Sequence, residues 1–159
     1  MINIEKDKTY LVTGGSGFLG TELIERILNS KGKVVTLARD EGKLIELKQR
    51  FPSIKIFTGD ICDQFDVHQA LKNVDGVFHL AAFKHVGLAE EQTRECIRSN
   101  VMGSLNILEA ASVNELDFVV GISTDKAAQV AGVYGASKYL MERLFEQFER
   151  NYPKTNFRV

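Results

Sequence analysis

A glycine-rich octapeptide, Thr13-Gly14-Gly15-Ser16-Gly17-Phe18-Leu19-Gly20, directly follows the apolar run Tyr10-Leu11-Val12 and directly precedes a helix-like run from Glu22 to Leu28. The order is that of a strand, a turn and a helix. A glycine triplet alone is weak support, because turns are rich in glycine, but a strand-to-helix context is what a dinucleotide site requires. The octapeptide therefore predicts a nucleotide-binding α/β unit at the start of the chain.

The spacing of Gly14, Gly17 and Gly20 gives each glycine a separate task. The first permits a tight turn, the second lets the backbone approach a pyrophosphate, and the third lets helix and strand pack closely. Free N–H groups at the start of the following helix, helped by the helix dipole, would face the phosphates. The predicted cofactor-binding residues of this segment are Gly14, Ser16, Gly17, Phe18, Leu19 and Gly20.

Composition and charge bound the class of protein. The 159 residues suit one domain with a full core, and 20 Lys and Arg against 21 Asp and Glu give a net charge of -1. We therefore expect neither nucleic acid nor an anionic membrane as a partner. Cys62 and Cys96 lie far apart and lack the spacing of metal ligands, so no metal site is predicted. The sequence has neither an apolar run long enough to span a membrane nor a signal-peptide core, so a cytoplasmic protein is predicted.

The run Val34-Val35-Thr36-Leu37-Ala38 predicts a second buried strand, and the residues after it bear on the choice of cofactor. An Asp or Glu at this strand end accepts from the ribose 2′-OH of NAD, whereas an Arg pairs with the 2′-phosphate of NADP. Arg39 favours NADP, and Asp40 keeps NAD as an alternative. The alternative is that Arg39 and Asp40 are solvated loop charges without a role in binding.

A third strand is predicted at Ile54-Lys55-Ile56-Phe57-Thr58 by its alternation, after a helix over residues 43–50. At the end of this strand, we expect Asp60 to accept from an adenine amino group and Ile61 to pack on the ring. The structural alternative for Asp60 is an N-cap of a helix over residues 64–71, with Asp63 as a competitor for that role.

The fourth predicted strand, Gly76-Val77-Phe78-His79-Leu80-Ala81-Ala82, ends in small residues, as expected where a chain passes close to a ligand. His79 lies inside the strand and is predicted to be a buried, hydrogen-bonded core histidine. His85 follows the strand, where ligands of parallel sheets bind, and a positioning role is favoured over proton transfer. The expected ligand contacts here are Ala81, Ala82 and Lys84 for the cofactor, and Lys84 and His85 for the substrate.

A long helix is predicted from Thr93 to Ala111, with an apolar stripe that starts at Ile97 and ends at Leu108. Asn100 falls within it. Because Asn is mildly unfavourable inside a helix, a buried one should bond to backbone or to a water near the site. Asn100 is therefore a further candidate for substrate binding.

The run from Asp117 to Ile122 predicts a fifth strand, which delivers Ser123-Thr124-Asp125-Lys126 to the same edge as the glycine turn. Beyond a loop, Tyr134 and Lys138 share one face of a helix that runs to about Arg150. A cationic Lys138 near the phenol favours phenolate, because it lowers a pKa that is about 10 in isolation. In this context the pair is a candidate base, whereas an isolated Y-x-x-x-K would indicate a solvated helix face.

Six strand-helix units in series, ending at Asn156-Phe157-Arg158-Val159, predict a doubly wound parallel sheet of the α/β class with strand order 3-2-1-4-5-6. Residues 1–159 are thus interpreted as one NAD(P)-binding Rossmann-like domain. The last helix has an apolar face that includes Leu140, Leu144 and Phe148. This face packs on the sheet or permits a homo-oligomer.

Five segments together resemble the extended short-chain dehydrogenase/reductases, and within them the polysaccharide-biosynthesis branch that includes C5-inverting UDP-N-acetylglucosamine 4,6-dehydratases. The glycine turn, Asp60-Ile61 and Tyr134-Gly135-Ala136-Ser137-Lys138 are similar to the superfamily as a whole. The segments Ala81-Ala82-Phe83-Lys84-His85-Val86 and Ser123-Thr124-Asp125-Lys126-Ala127 resemble the branch. In the retaining dehydratases a Glu follows the Asp, whereas this chain has Lys there, as the inverting branch does.

The resemblance implies a sugar-nucleotide dehydratase, a lyase of surface polysaccharide synthesis, that acts on UDP-N-acetylglucosamine or a related UDP-sugar. Tyr134 would take the C4 hydroxyl proton and also contact the cofactor. Lys138 would hold the phenolate and the cofactor ribose, and Thr124 would bond to the C4 oxygen. Lys126 is the implied base at C5, and Asp125 is the implied acid toward the C6 hydroxyl. For Asp125 and Lys126, an ion pair that orients the loop is the alternative.

The chain departs from the family pattern in two places. Gln129-Val130-Ala131-Gly132 stands where relatives commonly have Asn-Pro-x-Asn. The resemblance also implies a further segment beyond the sixth strand that supplies most of the sugar-nucleotide site, so only the N-terminal part of such an enzyme is expected here. The alternative functions are a UDP-sugar 4-epimerase and a non-catalytic NADP-binding module that needs a partner chain.

Overall fold

Six parallel strands form the centre of the computed structural model, which describes residues 3–159. The strands are β1 (Thr9–Thr13), β2 (Lys33–Ala38), β3 (Lys55–Thr58), β4 (Gly76–His79), β5 (Phe118–Gly121) and β6 (Asn156–Arg158). Their order across the sheet is β3-β2-β1-β4-β5-β6, and Leu11 lies level with Val35 on one side and Val77 on the other. The predicted doubly wound order is confirmed, with its switch point between β1 and β4.

Helices cover both faces of this sheet. They are α1 (Phe18–Asn29), α2 (Glu41–Arg50), α3 (Gln64–Ala70), α4 (Val86–Glu91), α5 (Thr93–Ile97), a π-helical turn (Arg98–Gly103), α6 (Ser104–Val113), a 3-10 turn (Asp125–Ala127) and α7 (Val133–Asn151). Because successive side chains of a strand point to opposite faces, Leu11 belongs to the same cluster as Leu108 and Phe145, whereas Tyr10 packs with Ile24. Burial on both faces explains why β1 and β2 read as nearly continuous apolar runs, whereas β3 at the edge of the sheet alternates.

The long helix predicted from Thr93 to Ala111 is interrupted. The π-helical turn separates α5 from α6 and adds a residue to one turn, so the face that points inward shifts. The buried residues are Cys96, Asn100 and Ser104, whereas Ile97, the predicted start of the apolar stripe, is 42% exposed. The predicted stripe is wrong at this end, and a row of small or polar side chains faces the protein interior instead. The short helix α4 has no counterpart among the predicted helices.

Helix α1 starts closer to the glycine turn than its apolar pattern predicts. It begins at Phe18, whereas the helix-like run begins at Glu22. Gly17 is its N-cap residue, with extended backbone. The first turn of α1 therefore lies inside the octapeptide, directly beside the end of β1.

Two features are absent from residues 3–159. No helix in that part of the chain combines the length and the apolar character needed to cross a bilayer. Nor do its His, Cys, Asp and Glu side chains gather in groups of three or more that could hold a metal ion.

Candidate functional site

The glycine turn after β1 depends on the absence of two side chains. Gly14 has a φ of +68°, a conformation that L side chains rarely adopt, and a Cβ there would lie 2.9 Å from the backbone nitrogen of Ala81. A Cβ on Gly20 would lie 2.5 Å from the Gly14 carbonyl oxygen and 2.6 Å from the Gly15 Cα. The turn is closed by the Gly17 N–H, which donates to the Gly14 carbonyl at 3.0 Å. The glycines thus let α1 start directly against the turn.

The start of α1 is open to a ligand. Gly17 offers no side-chain cap, and a Cβ placed there would meet only the Gly14 oxygen, at 3.3 Å. Phe18 is 95% exposed and Leu19 is 51% exposed, so neither covers the backbone of the first turn. The first N–H groups of a helix have no partner within the helix. These groups and the helix dipole fit the pyrophosphate of a dinucleotide at this place.

The charged residues after β2 differ in how they are engaged. Asp40 is the N-cap of α2: its carboxylate accepts from the Lys43 N–H at 3.1 Å and pairs with the Lys43 ammonium at 3.5 Å. The bond from that N–H lowers the pKa of the Asp40 carboxyl. Arg39 is exposed and lines a cleft of about 200 Å³ with Arg98 and Phe83. A ribose contact by Asp40 would therefore compete with its capping role.

Asp60 lies at the β3 end, as predicted, but it does not cap α3. Asp63 is the N-cap of that helix and accepts from the Phe65 N–H at 2.8 Å, so the capping alternative for Asp60 is wrong. Asp60 instead accepts from the Cys62 N–H at 3.0 Å and from Arg98 at 3.2 Å. Arg98 lies at the start of the π-helical turn and carried no signal in its sequence context. In the predicted contact, the Asp60 carboxylate would have to accept from the adenine amino group and from Arg98 at the same time.

The two residues that follow Asp60 differ in exposure, since Ile61 is buried and Cys62 is half-buried. Ile61 is 7% exposed and packs in the core, where its side chain reaches Gly103. Burial, and then the charge of Asp60, raises the pKa of the Cys62 thiol to about 11, so Cys62 is not a thiolate. The expected packing of Ile61 on a ring stays a prediction, and the side chain has little free surface for it.

His79 of β4 is a core residue, as predicted. Its Nδ1 lies 2.8 Å from the Thr13 hydroxyl and its Nε2 lies 3.0 Å from the Ser104 hydroxyl. Burial, and to a smaller extent the charge of Lys138, lowers the pKa of His79 to about 3. The ring is thus neutral and connects the carboxyl end of β1 to the first residue of α6. The Thr13 hydroxyl also accepts from the Ala81 N–H at 3.1 Å, which holds the chain beyond β4 against the glycine turn.

Asn100 holds the loop that leads from β4 to α4. Its side-chain oxygen accepts from the Phe83 N–H at 2.7 Å, and its amide donates to the Phe83 carbonyl at 3.0 Å and to the Ser137 hydroxyl at 3.0 Å. Asn100 is only 1% exposed. Its partners lie within the protein, as expected for a buried Asn, and a direct contact with the substrate stays a prediction. Lys84 and His85, by contrast, are exposed in this loop and free to approach a ligand.

Tyr134 and Lys138 stand at the head of α7. Lys138 is 5% exposed, and its ammonium donates to the carbonyl of Ile122 at 2.8 Å. Burial lowers its pKa to about 8, although Cys96 and Glu142 act in the opposite direction. Tyr134 is half-buried, and within residues 3–159 no hydrogen bond joins its phenol to the Lys138 ammonium. The predicted action of the pair as a base stays a prediction.

The segment after β5 forms the 3-10 turn and presents its charged residues to solvent. The Thr124 hydroxyl donates to the Asp125 carboxylate at 3.0 Å, and the Lys126 ammonium pairs with the same carboxylate at 3.0 Å. The Lys126 bond and then the Thr124 bond lower the pKa of the Asp125 carboxyl. The ion pair considered as an alternative from the sequence is thus present. The Gly135 backbone lies against the Lys126 carbonyl, so this turn and the head of α7 are in direct contact.

Curated proteins similar to this chain match it along most of its length. The family described as polysaccharide biosynthesis protein matches residues 10–159. A UDP-N-acetylglucosamine 4,6-dehydratase (inverting) of Campylobacter jejuni is 36% identical over 142 residues, which is 87% of this chain and 42% of that protein. A UDP-glucose 4-epimerase of Rickettsia bellii is 37% identical over 145 residues, which is 87% of this chain and 42% of that protein. An uncharacterized membrane protein of Methanocaldococcus jannaschii is 43% identical over 145 residues, 89% of this chain and 44% of that protein.

Solved structures extend the similarity to three dimensions. Pen from Bacillus thuringiensis superposes with a TM-score of 0.93 at 32% identity, over 98% of this chain and 51% of that protein. MoeE5, solved in complex with UDP-glucose and NAD, superposes with a TM-score of 0.79 at 28% identity, over 92% of this chain and 51% of MoeE5. The chain thus spans about half the length of these structures, and somewhat less than half of the curated relatives above.

Proposed function

The chain belongs to the polysaccharide biosynthesis protein family, within the extended short-chain dehydrogenase/reductases, and we propose that it forms the NADP-binding, catalytic half of an inverting UDP-N-acetylglucosamine 4,6-dehydratase. The similarity to an inverting dehydratase supports the reaction, and Lys126 after Asp125 supports its stereochemical branch. The family resemblance implies that most of the sugar-nucleotide site would lie in the part of such proteins that this chain does not match.

The observation that carries the proposal is that four segments, in two contacting pairs, lie at the carboxyl edge of the sheet. The glycine turn after β1 contacts the chain after β4 through Gly14 and Ala81, and the 3-10 turn after β5 contacts the head of α7 through Lys126 and Gly135. An open helix N-terminus for a pyrophosphate and a Tyr-Lys pair on one helix face therefore belong to one continuous edge. This edge is where a cofactor and a sugar would meet.

In the proposed reaction, oxidation at C4 precedes the loss of water, because a C4 ketone makes the C5 proton acidic. Tyr134 takes the proton of the C4 hydroxyl, and Thr124 donates a hydrogen bond to the C4 oxygen. Lys138 lies one turn along α7 from Tyr134, and its position is fixed by the Ile122 carbonyl. When bound, the nicotinamide cofactor would supply the hydride chemistry, in which hydride leaves C4 and is later returned to C6.

The elimination step is proposed to use the two residues of the exposed ion pair. Lys126 takes the proton from C5, and Asp125 gives a proton to the C6 hydroxyl as it leaves as water. In the free chain Asp125 is ionised, since Lys126 and Thr124 hold its pKa below the ordinary value. These roles need the ion pair to open when the substrate binds and the proton of the Lys126 ammonium to pass to the Asp125 carboxylate, which leaves a neutral amine as the base and a neutral carboxyl as the acid. The exposure of both side chains to solvent lowers the cost of opening the pair.

Replacing Lys126 with Ala is expected to reduce formation of the dehydrated sugar by about 100-fold or more, because proton abstraction by a positioned base contributes at least that factor. The protein is incubated with NADP and UDP-N-acetylglucosamine, and mass spectrometry follows the loss of one water. The matched control is Lys72→Ala, which removes an exposed lysine beyond α3. Dehydration that survives unchanged in Lys126→Ala would show that the base at C5 is another group.

Two other functions give different results in the same experiment. A UDP-sugar 4-epimerase, the activity of the Rickettsia bellii relative, would convert the sugar at C4 without loss of mass. A non-catalytic module that needs a partner chain would bind NADP but show no affinity for UDP-N-acetylglucosamine. The mass of the product and equilibrium binding of the two ligands therefore distinguish the three functions.

Arg39→Ala is expected to weaken NADP binding by about 10- to 100-fold and to leave NAD binding nearly unchanged, since a charged hydrogen bond to the 2′-phosphate is worth about 1.5–3 kcal/mol. Calorimetric titration of the chain with each dinucleotide measures both affinities. Arg150→Ala, at the far end of α7, is the control for a general loss of positive charge. Equal losses for NADP and NAD in Arg39→Ala would remove the basis for preferring NADP.

A further inference from the structure

The head of α7 lacks a side-chain cap of its own. Its N-cap residue is Gly132, which has extended backbone and no side chain to accept from the first turn. The carboxylate of Glu90 takes this place: its Oε1 accepts from the Val133 N–H at 2.7 Å. A carboxylate at this position also complements the positive end of the helix dipole. The first turn of α7 is therefore capped from outside the helix.

Glu90 reaches this point from a separate segment of the chain. It lies 43 residues before Val133, near the end of α4, the short helix that follows Lys84 and His85. Tyr134 comes directly after Val133. The Glu90 carboxylate therefore connects α4 to the backbone next to Tyr134. Helix α4 directly follows the loop that is expected to contact the substrate.

We propose that Glu90 is a positioning residue for Tyr134, acting as an inter-helix cap that fixes the first turn of α7 against α4. The proposal rests on the function proposed above in so far as Tyr134 handles the C4 proton. Its structural part, the cap, does not depend on that function. No group on α7 itself can replace the cap, because the position that would hold it is a glycine.

Gly132 makes the cap testable by rescue. A Cβ at Gly132 would meet the carboxylate of Glu90, which is the far end of a flexible side chain and can move aside. An Asn at this position would place an oxygen where an N-cap side chain accepts from the first helical turn. Gly132→Asn should therefore restore the cap of α7 in a chain that has lost the Glu90 carboxylate. Gly132→Ala restricts the backbone in a similar way but brings no acceptor, so it should not.

The test measures hydrogen exchange of the Val133 amide by NMR and the affinity for NADP by calorimetry. Glu90→Ala is expected to speed the exchange and weaken NADP binding, each by about fivefold, the factor that corresponds to a typical helix cap. Adding Gly132→Asn should restore both, whereas adding Gly132→Ala should restore neither. Glu90→Gln, which keeps an acceptor oxygen, should lie between, and Glu91→Ala, the exposed neighbour, should behave as the wild type.

The outcomes separate this proposal from the proposed function. An unchanged Val133 exchange rate in Glu90→Ala, or equal rescue by Gly132→Ala and Gly132→Asn, would overturn the role of Glu90. Exchange that responds while NADP affinity stays constant would show a cap without a positioning role, and would overturn the proposal as well. A wild-type chain that does not bind NADP would contradict the proposed function, and the Val133 exchange rate would still report on the cap.

Discussion

Replacing Tyr134 with Phe is expected to lower the rate of C4 oxidation of UDP-N-acetylglucosamine by about 10²- to 10⁴-fold, the range that general acid-base catalysis contributes. The change removes one oxygen from a half-buried side chain and leaves the Lys138 contact with the Ile122 carbonyl in place. The fold and the open start of α1 should therefore be unaffected. Single-turnover absorbance of the reduced nicotinamide measures the rate of this step.

The same helix provides a matched control for Tyr134. Tyr139 lies on α7, is 42% exposed and stacks with Arg143, away from the head of the helix. Tyr139→Phe should therefore oxidise the sugar at the wild-type rate. A Tyr134→Phe protein that binds NADP and still oxidises the sugar at the wild-type rate would show that another group takes the C4 proton.

The stability of the wild-type chain relative to Lys138→Met is expected to rise by roughly 2–3 kcal/mol between about pH 7 and pH 10. Burial lowers the pKa of Lys138 from 10.5 to about 8 in the folded chain. In this range the unfolded chain binds more protons than the folded one, so raising the pH removes a charge that is costly to bury. Because Met cannot titrate, the difference between the two proteins isolates this contribution.

Urea unfolding at a series of pH values measures this difference. Other groups that titrate in the range, and the raised pKa of Lys8, are common to both proteins and cancel. Lys154→Met, which removes an exposed lysine, should show no such rise. A constant difference between the wild type and Lys138→Met would mean that the ammonium is solvated in the folded chain and that its burial is not as described.

Features encoded in neighbouring residues were predicted well from the sequence. The apolar runs and the octapeptide between β1 and α1 were enough for the strand order, because right-handed crossovers leave few arrangements. His79 was correctly predicted as a core residue, since its position inside a buried strand leaves it no access to solvent. These features follow from local pattern and from topology.

Contacts between distant segments were not predictable in the same way. The π-helical turn has no marker in its sequence, and it moved Ile97 to the surface and Asn100 to the interior. Spacing alone could not decide between Asp60 and Asp63 as the cap of α3, because both precede the helix within a few residues. The Asp60 contact with Arg98 joins residues 38 positions apart and appears only once the chain is folded.

The use of the glycine turn as a dinucleotide site can be tested by NMR titration of the isotope-labelled chain with NADP. We expect the amide signals of residues 14–20 to shift in a saturable way, together with those of Arg39, Ala81 and Ala82. A second cleft of about 290 Å³, lined by residues that include Gln64, Glu109 and Tyr152, lies on α3, α6 and the end of α7 and provides an internal comparison. Shifts confined to that cleft, or no shifts at the glycine turn at saturating NADP, would contradict the proposed cofactor site.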